Sequence, residues 1–246
     1  MLGCSGLLLP HGLLLKAVHT RGPGDRPEVA LTFDDGPNGR CTEAVLDVLA
    51  RLGVHATFFV LGRNVDRAAD DALLRRMVDE GHVIGLHGYH HEGPLLVSPR
   101  TLREELQRAA RSVEAALQRA GDDAPRPRPR LFRPPFGFLT GATAEAALGE
   151  GFSVVLWTVS VGDWRSSQTA REIVDHILSQ VDAGDIIVLH DGFRAHHESR
   201  LACIDRVVLP EALELLIPRL RERGLEPVTV PELLRLPVDA NPTARP

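Results

Sequence analysis

The chain has 246 residues, 43% of them hydrophobic and 25% charged, and a formal net charge of -5. That composition describes a globular protein with a sizeable core, as one large α/β or β-rich domain or two small ones, and it excludes the basic footprint that nucleic acid or an anionic membrane would require. Cys4, Cys41 and Cys203 are odd in number, scattered and without CxxC spacing, so neither a disulfide framework nor a cysteine metal site is expected.

The first segment, MLGCSGLLLPHGLLLKAVHTRG, is apolar but interrupted at Pro10 and His11 and has no basic start. It falls short of both a spanning helix and a standard signal peptide, and is expected to be a short helix or strand closing the bottom of the fold. Two other readings stand beside that one. A membrane-surface helix would give peripheral membrane contact, and an export signal truncated at its start would make LGC resemble a lipoprotein cleavage site. The compartment therefore stays open between cell envelope and cytoplasm.

Beyond this segment, strand-like runs alternate with helical ones. The runs EVALTF, HATFFV, HVIGL, RLFRPP, SVVLWTV, DIIVLH and EPVTV are short and apolar throughout, as strands buried on both faces are. Between them TEAVLDVLARLG, DALLRRMVDEG, LREELQRAARSVEAALQRAG and TAREIVDHILSQVDAG carry helical periodicity and each stops on a glycine. DDAPRPRPR, residues 122–130, reads as an extended connecting loop. Strand-helix alternation predicts an α/β fold on a parallel sheet, open or closed as a barrel, in one domain over about 26–230. An N-terminal segment, 1–25, precedes it and a C-terminal tail, 231–246, follows.

In such folds the active site gathers at the C-terminal ends of the strands. Asp34 and Asp35 end the first run, His87 and His91 follow the third, Arg133 follows LF, Asp163 and Trp164 follow the run through Val159, and His190 and Asp191 end DIIVL. Neighbouring side chains of a regular strand point to opposite faces. Asp34 and Asp35 can therefore share a site only on a bend, which Gly36 and Pro37 are expected to supply. His87 and His91 are four apart, which on a helical turn puts both imidazoles on one face and suits a divalent metal. Two histidines and one aspartate form a common catalytic zinc set, which brings a coordinated water to a pKa near ~7. Non-haem iron uses the same set, but on all-β folds.

Five stretches together, TFDDGP, GHVIGLHGYHH, RPPFG, GDW and IIVLHD, resemble in order the motifs of the NodB-type polysaccharide deacetylases, carbohydrate esterase family 4. The resemblance implies a distorted (β/α) barrel with a shallow groove across its top, an acetylated carbohydrate as substrate, and one divalent metal ion, zinc with cobalt or nickel as alternatives. It implies that Asp35, His87 and His91 hold the metal, that Asp34 is the general base and that His190 is the general acid. Arg133 would pair with Asp34, the backbone N–H of Phe136 would stabilise an oxyanion, and Trp164 would wall the groove. His90 is expected to point elsewhere, and His82 to pack at the start of its strand. The chain departs from the family at Ser160, where an aspartate that orients the catalytic histidine is usual, and at Gly88, where Ser or Thr is common. Asp163 is expected to substitute by contacting His190 or Arg133. The reading is a hydrolase acting on N-acetylated sugars of a peptidoglycan or chitin-like polysaccharide. Its alternatives are a deacylase of a lipid-linked sugar, an O-acetyl esterase and a catalytically silent carbohydrate-binding relative.

Overall fold

The computed structural model describes residues 18–66, 71–93, 97–120, 130–163, 168–191 and 208–236. Among them a single all-parallel sheet curls into an open barrel. Its strands are β1 (Val18–His19), β2 (Glu28–Asp34), β3 (Thr57–Val60), β4 (Val83–Leu86), β5 (Leu131–Phe132), β6 (Ser153–Val155), β7 (Val159–Ser160), β8 (Ile186–His190) and β9 (Glu226–Val228). They lie in the order β1-β6-β5-β4-β3-β2-β8-β7, and β9 adds to the lower end of β2. Helices α1 (Arg40–Leu52), α2 (Gly62–Val65), α3 (Asp71–Asp79), α4 (Pro99–Arg119), α5 (Gly141–Gly149), α6 (Ala170–Leu178), α7 (Val208–Glu222) and α8 (Val230–Leu234) connect or flank the strands. No helix among the described residues is long and apolar enough to cross a membrane.

Alternation along the strands sorts the apolar residues into two cores. Val29, Leu31 and Phe33 of β2 face outward into the large core under the helices, whereas Ala30 faces inward with Phe59, Leu131, Val155 and Ile186. Val230 and Leu233 of α8 close this inner core, and the Val230 N–H donates to Thr57 Oγ1 at 3.0 Å. The same period carries the inner face upward to polar residues. Ala30, Thr32 and Asp34 share one side of β2, Leu131 is followed two positions on by Arg133, and Ile186 shares its side of β8 with His190. The barrel is thus apolar below and charged at its C-terminal rim.

Several local expectations are corrected. SVVLWTV is not one strand. It breaks at Leu156–Thr158 because its two halves pair with different partners, β6 with β1 and β5, and β7 with β8. α6 ends at Leu178, well short of Gly184, whose φ of 89° belongs to a turn that brings the Gly184 N–H onto Glu28 O at 2.7 Å. Cys41, buried at the start of α1, is disulfide-bonded, since proximity in the fold rather than spacing decides pairing. The N-terminal residues up to 17, the Pro-Arg loop, Trp164 and Cys203 lie outside the described residues.

Candidate active site

Asp34 is the last residue of β2, and Asp35 turns into the left-handed region at φ 72°. The bend that frees the two carboxylates from strand alternation is therefore at Asp35 itself, one residue earlier than the turn signal suggests. Two amides hold it there. Asn64 Nδ2 and Asn38 Nδ2 donate to the Asp35 carbonyl at 2.8 and 3.0 Å. Gly36 serves a different purpose, close approach, because a Cβ at this position would stand 2.4 Å from Asp191 Oδ2.

His87 and His91 meet, but not across a helical turn. The segment between them is a loop, with Gly88 at φ 83° and His91 at φ 61°, that folds His91 back beside His87 with ring centroids 5.0 Å apart. Gly88 thus occupies a backbone conformation that side-chain-bearing residues rarely adopt. One donor atom each from Asp35, His87 and His91 lies within 4.8 Å of the others, with His87 Nε2 and His91 Nε2 at 3.7 and 3.4 Å from Asp35 Oδ1. His87 Nδ1 sits 2.7 Å from the Arg133 carbonyl. A carbonyl only accepts, so Nδ1 carries the proton and Nε2 turns its lone pair to the centre, the arrangement a metal-ligating imidazole needs. Around these donors Asp34, Asp163 and Asp191 are each less than 5% exposed. The donor set and its acidic surroundings fit a divalent cation.

Arg133 is fully buried and satisfied on every side. Nη1 donates to Asp34 Oδ1 at 2.8 Å and to Thr32 Oγ1 at 2.7 Å, while Nε and Nη2 donate to the carbonyls of Val155 and Leu156. The guanidinium also lies over the Phe59 ring, 4.1 Å from its centroid. Burial pushes its pKa down and Asp34 opposes that.

His190 stands at the end of β8, beside Asp34 in the ladder. Asp163 accepts from Nδ1 at 2.9 Å and from the backbone N–H at 2.8 Å, the contact expected where Ser160 replaces an acid. Burial alone would lower the imidazole's pKa, but Asp163, then Asp35 and Asp34, outweigh it and raise it to about 9. Phe136 lies in a 3₁₀ turn, Pro135–Gly137, at φ 61°, its ring 4.7 Å from that of His91. His90 points away, to Glu105, and buried His82 accepts from the Ala56 N–H instead.

Three contributors carry no role in the sequence reading. Asp191, pushed up to about 7 by burial and by Asp35 and Asp34, accepts from Thr42 Oγ1 at 2.5 Å, which works in the opposite direction. Asn64 holds Asp35, and Glu105 holds the histidine loop. Asn64 follows a strand end and could have been flagged by position, whereas Glu105 sits mid-helix with no local signal.

Parallel strands curled round a rim that gathers an Asp-His-His donor set, a second carboxylate and a carboxylate-held histidine define a barrel with a hydrolase-type centre. Residues 21–155 match the family model described as polysaccharide deacetylase. Over 208 residues, 83% of this chain and 90% of the relative, the sequence is 38% identical to a chitooligosaccharide deacetylase of Bradyrhizobium sp. (strain ANU 289). The fold is similar to the crystal structure of the Bc1960 peptidoglycan N-acetylglucosamine deacetylase, with a TM-score of 0.78 and 28% identity over 91% of this chain and 95% of that one. It is also similar to a family 4 acetyl xylan esterase from Clostridium thermocellum in complex with a cobalt ion, TM-score 0.70 and 33% identity over 86% and 93% of the two chains. The chain belongs to the polysaccharide deacetylase family.

Proposed function

We propose that this protein is a metal-dependent hydrolase that removes acetyl groups from the N-acetylated sugars of a peptidoglycan or chitin-like polysaccharide, through a catalytic domain of about residues 26–230 that β1 and α8 extend at either end. The supporting observation is the division of labour at the rim, with one donor set flanked by a carboxylate paired to a buried arginine and by a histidine paired to a buried aspartate. A divalent cation held by Asp35, His87 and His91, zinc on ligand chemistry with cobalt or nickel as alternatives, polarises the acyl carbonyl and acidifies a water when bound.

Asp34 is the general base. Arg133 occupies its Oδ1, and its Oδ2 lies 3.9 Å from His87 Nε2, on the side where the attacking water must lose its proton. Negative charge then gathers on the acetyl oxygen, to which the Phe136 N–H donates, a contribution of about 2.7 to 4 kcal/mol. His190 gives a proton to the leaving amine from Nε2, because Nδ1 is held by Asp163.

The test is acetate release from a panel of N-acetylated and O-acetylated sugars, with and without chelator, for the native protein and Asp34→Asn. Release from an N-acetyl oligosaccharide should require metal and fall about 10² to 10⁴-fold in the variant, with metal content unchanged. Release from O-acetyl sugars alone would make it an esterase. No release from any sugar despite bound metal would oppose the polysaccharide reading and favour a lipid-linked substrate or a silent binder.

A further inference from the structure

The loop between the two histidines has few intrinsic reasons to hold its shape. It contains two residues at positive φ, one of them His91, and it follows a strand of only four residues, Val83–Leu86. Two elements grip it from opposite sides. The first two N–H groups of α2 take its carbonyls, Gly62 N donating to Gly88 O at 3.0 Å and Arg63 N to Tyr89 O at 3.1 Å. On the other side the consecutive N–H groups of Tyr89 and His90 converge on one oxygen of Glu105, Oε2, at 2.9 Å each, and His90 Nδ1 meets its Oε1 at 2.8 Å. Successive amides turned toward one anion form a small anion-binding concavity, here filled from within by a side chain that is 13% exposed. One turn along α4, Arg108 covers the Tyr89 ring at 3.6 Å and donates to its hydroxyl at 2.9 Å, so the same helix face fixes the loop twice.

We propose that Glu105 is a positioning residue for the metal-ligand loop. By accepting the Tyr89 and His90 amides it sets the backbone that turns His91 onto Asp35, and so sets metal affinity without touching the metal or the substrate. The proposal rests on the reading that Asp35, His87 and His91 hold the cation. Hydrogen-bond partners of ligating side chains typically change metal affinity by about 10 to 100-fold when lost, and a group that acts through the backbone beside His91 is expected at the lower end of that range.

The experiment titrates the metal-stripped protein with Co²⁺ alone and follows the visible absorption bands, which report both affinity and coordination geometry. Glu105→Ala should weaken Co²⁺ binding at least about tenfold. Glu105→Gln keeps an oxygen that can accept both amides and should stay within about threefold of native, the rescue a helix-stability effect would not give. With Glu105→Ala saturated in metal, KM for the N-acetyl sugar should match native. If Glu105→Ala does not fold, Glu105→Leu, which keeps the bulk and the helix but has no acceptor, takes its place with the same expectation. Native-like Co²⁺ affinity in a folded variant lacking an acceptor, or Gln binding as weakly as Ala, overturns the proposal. A native protein that binds no Co²⁺ overturns the metal-site reading beneath it.

Discussion

At His190 two opposing effects meet in one side chain. Burial disfavours the imidazolium, the carboxylates of Asp163, Asp35 and Asp34 favour it, and the balance falls at about 9. A general acid has to hold its proton until the leaving group takes it, so a raised pKa keeps the competent form populated through neutral pH. The sign follows directly: activity is present below the pKa and is lost as pH rises through it. Asp163→Asn removes the main carboxylate favouring the charged form, and a nearby opposite charge is worth about 1 to 3 pKa units. The alkaline limb of kcat in the variant should therefore move down by about one unit or more, with a lower maximum. A cation at Asp35 shifts the limb down in both proteins, so the difference between the two profiles is the quantity to measure. An unmoved limb would mean that Asp163 only anchors the backbone of His190, whose N–H it also accepts.

Elements were legible where both faces of a run are apolar or where a helix ends on glycine. β3, β4 and β8 lie within the runs that predicted them, β2 runs one residue past its own to Asp34, and α1 stops at Gly53 in the left-handed conformation. The strand-end rule likewise grouped Asp34, Asp35, His87, His91, Arg133, Asp163 and His190. What sequence pattern did not reveal depends on partners distant in the chain. The break at Leu156–Thr158 follows from two separate strand neighbours, the hold on Asp35 at positive φ in part from Asn64, and the histidine loop from Glu105 on a helix with ordinary amphipathic spacing. Gly36 shows how such a partner can be tested. Its turn propensity explains a glycine, but its contact with Asp191 demands one: Gly36→Ala would press a methyl group against a buried carboxylate held by Thr42. The cost expected for overpacking a filled site is about 1 to 3 kcal/mol in urea unfolding. In Gly36→Ala/Asp191→Ala the two losses should sum to less than their separate values, since the second change removes the clash the first creates. Strict additivity would return Gly36 to a turn residue with no link to the rim.

For the whole molecule, the barrel's apolar interior carries a rim of buried acids, and that contrast couples stability to pH and to metal. Asp191 and His190 both hold protons more tightly in the fold than in the unfolded chain, with folded values of about 7 and about 9 against 3.8 and 6.5. A group that binds more protons in the native state makes stability fall as pH rises. Asp191 acts so between its unfolded and folded values and His190 above that, which means the metal-free protein should lose stability continuously from mildly acid to mildly alkaline pH. A divalent cation acts in the opposite sense, because it binds ionised Asp35 and neutral His87 and His91 and competes with protons for them. At about a hundredfold excess over its dissociation constant it adds about 2.7 kcal/mol, or roughly 5 to 10 °C in melting temperature for a chain of this size. The difference in melting temperature between metal-loaded and chelated protein should therefore widen as pH rises from mildly acid to mildly alkaline, while the chelated protein alone declines. Calorimetry of both forms across that range checks it. A gap that stays constant with pH would mean that the cation binds away from these titrating groups, and a chelated protein that gains stability on the alkaline side would mean that the rim acids are already ionised in the fold.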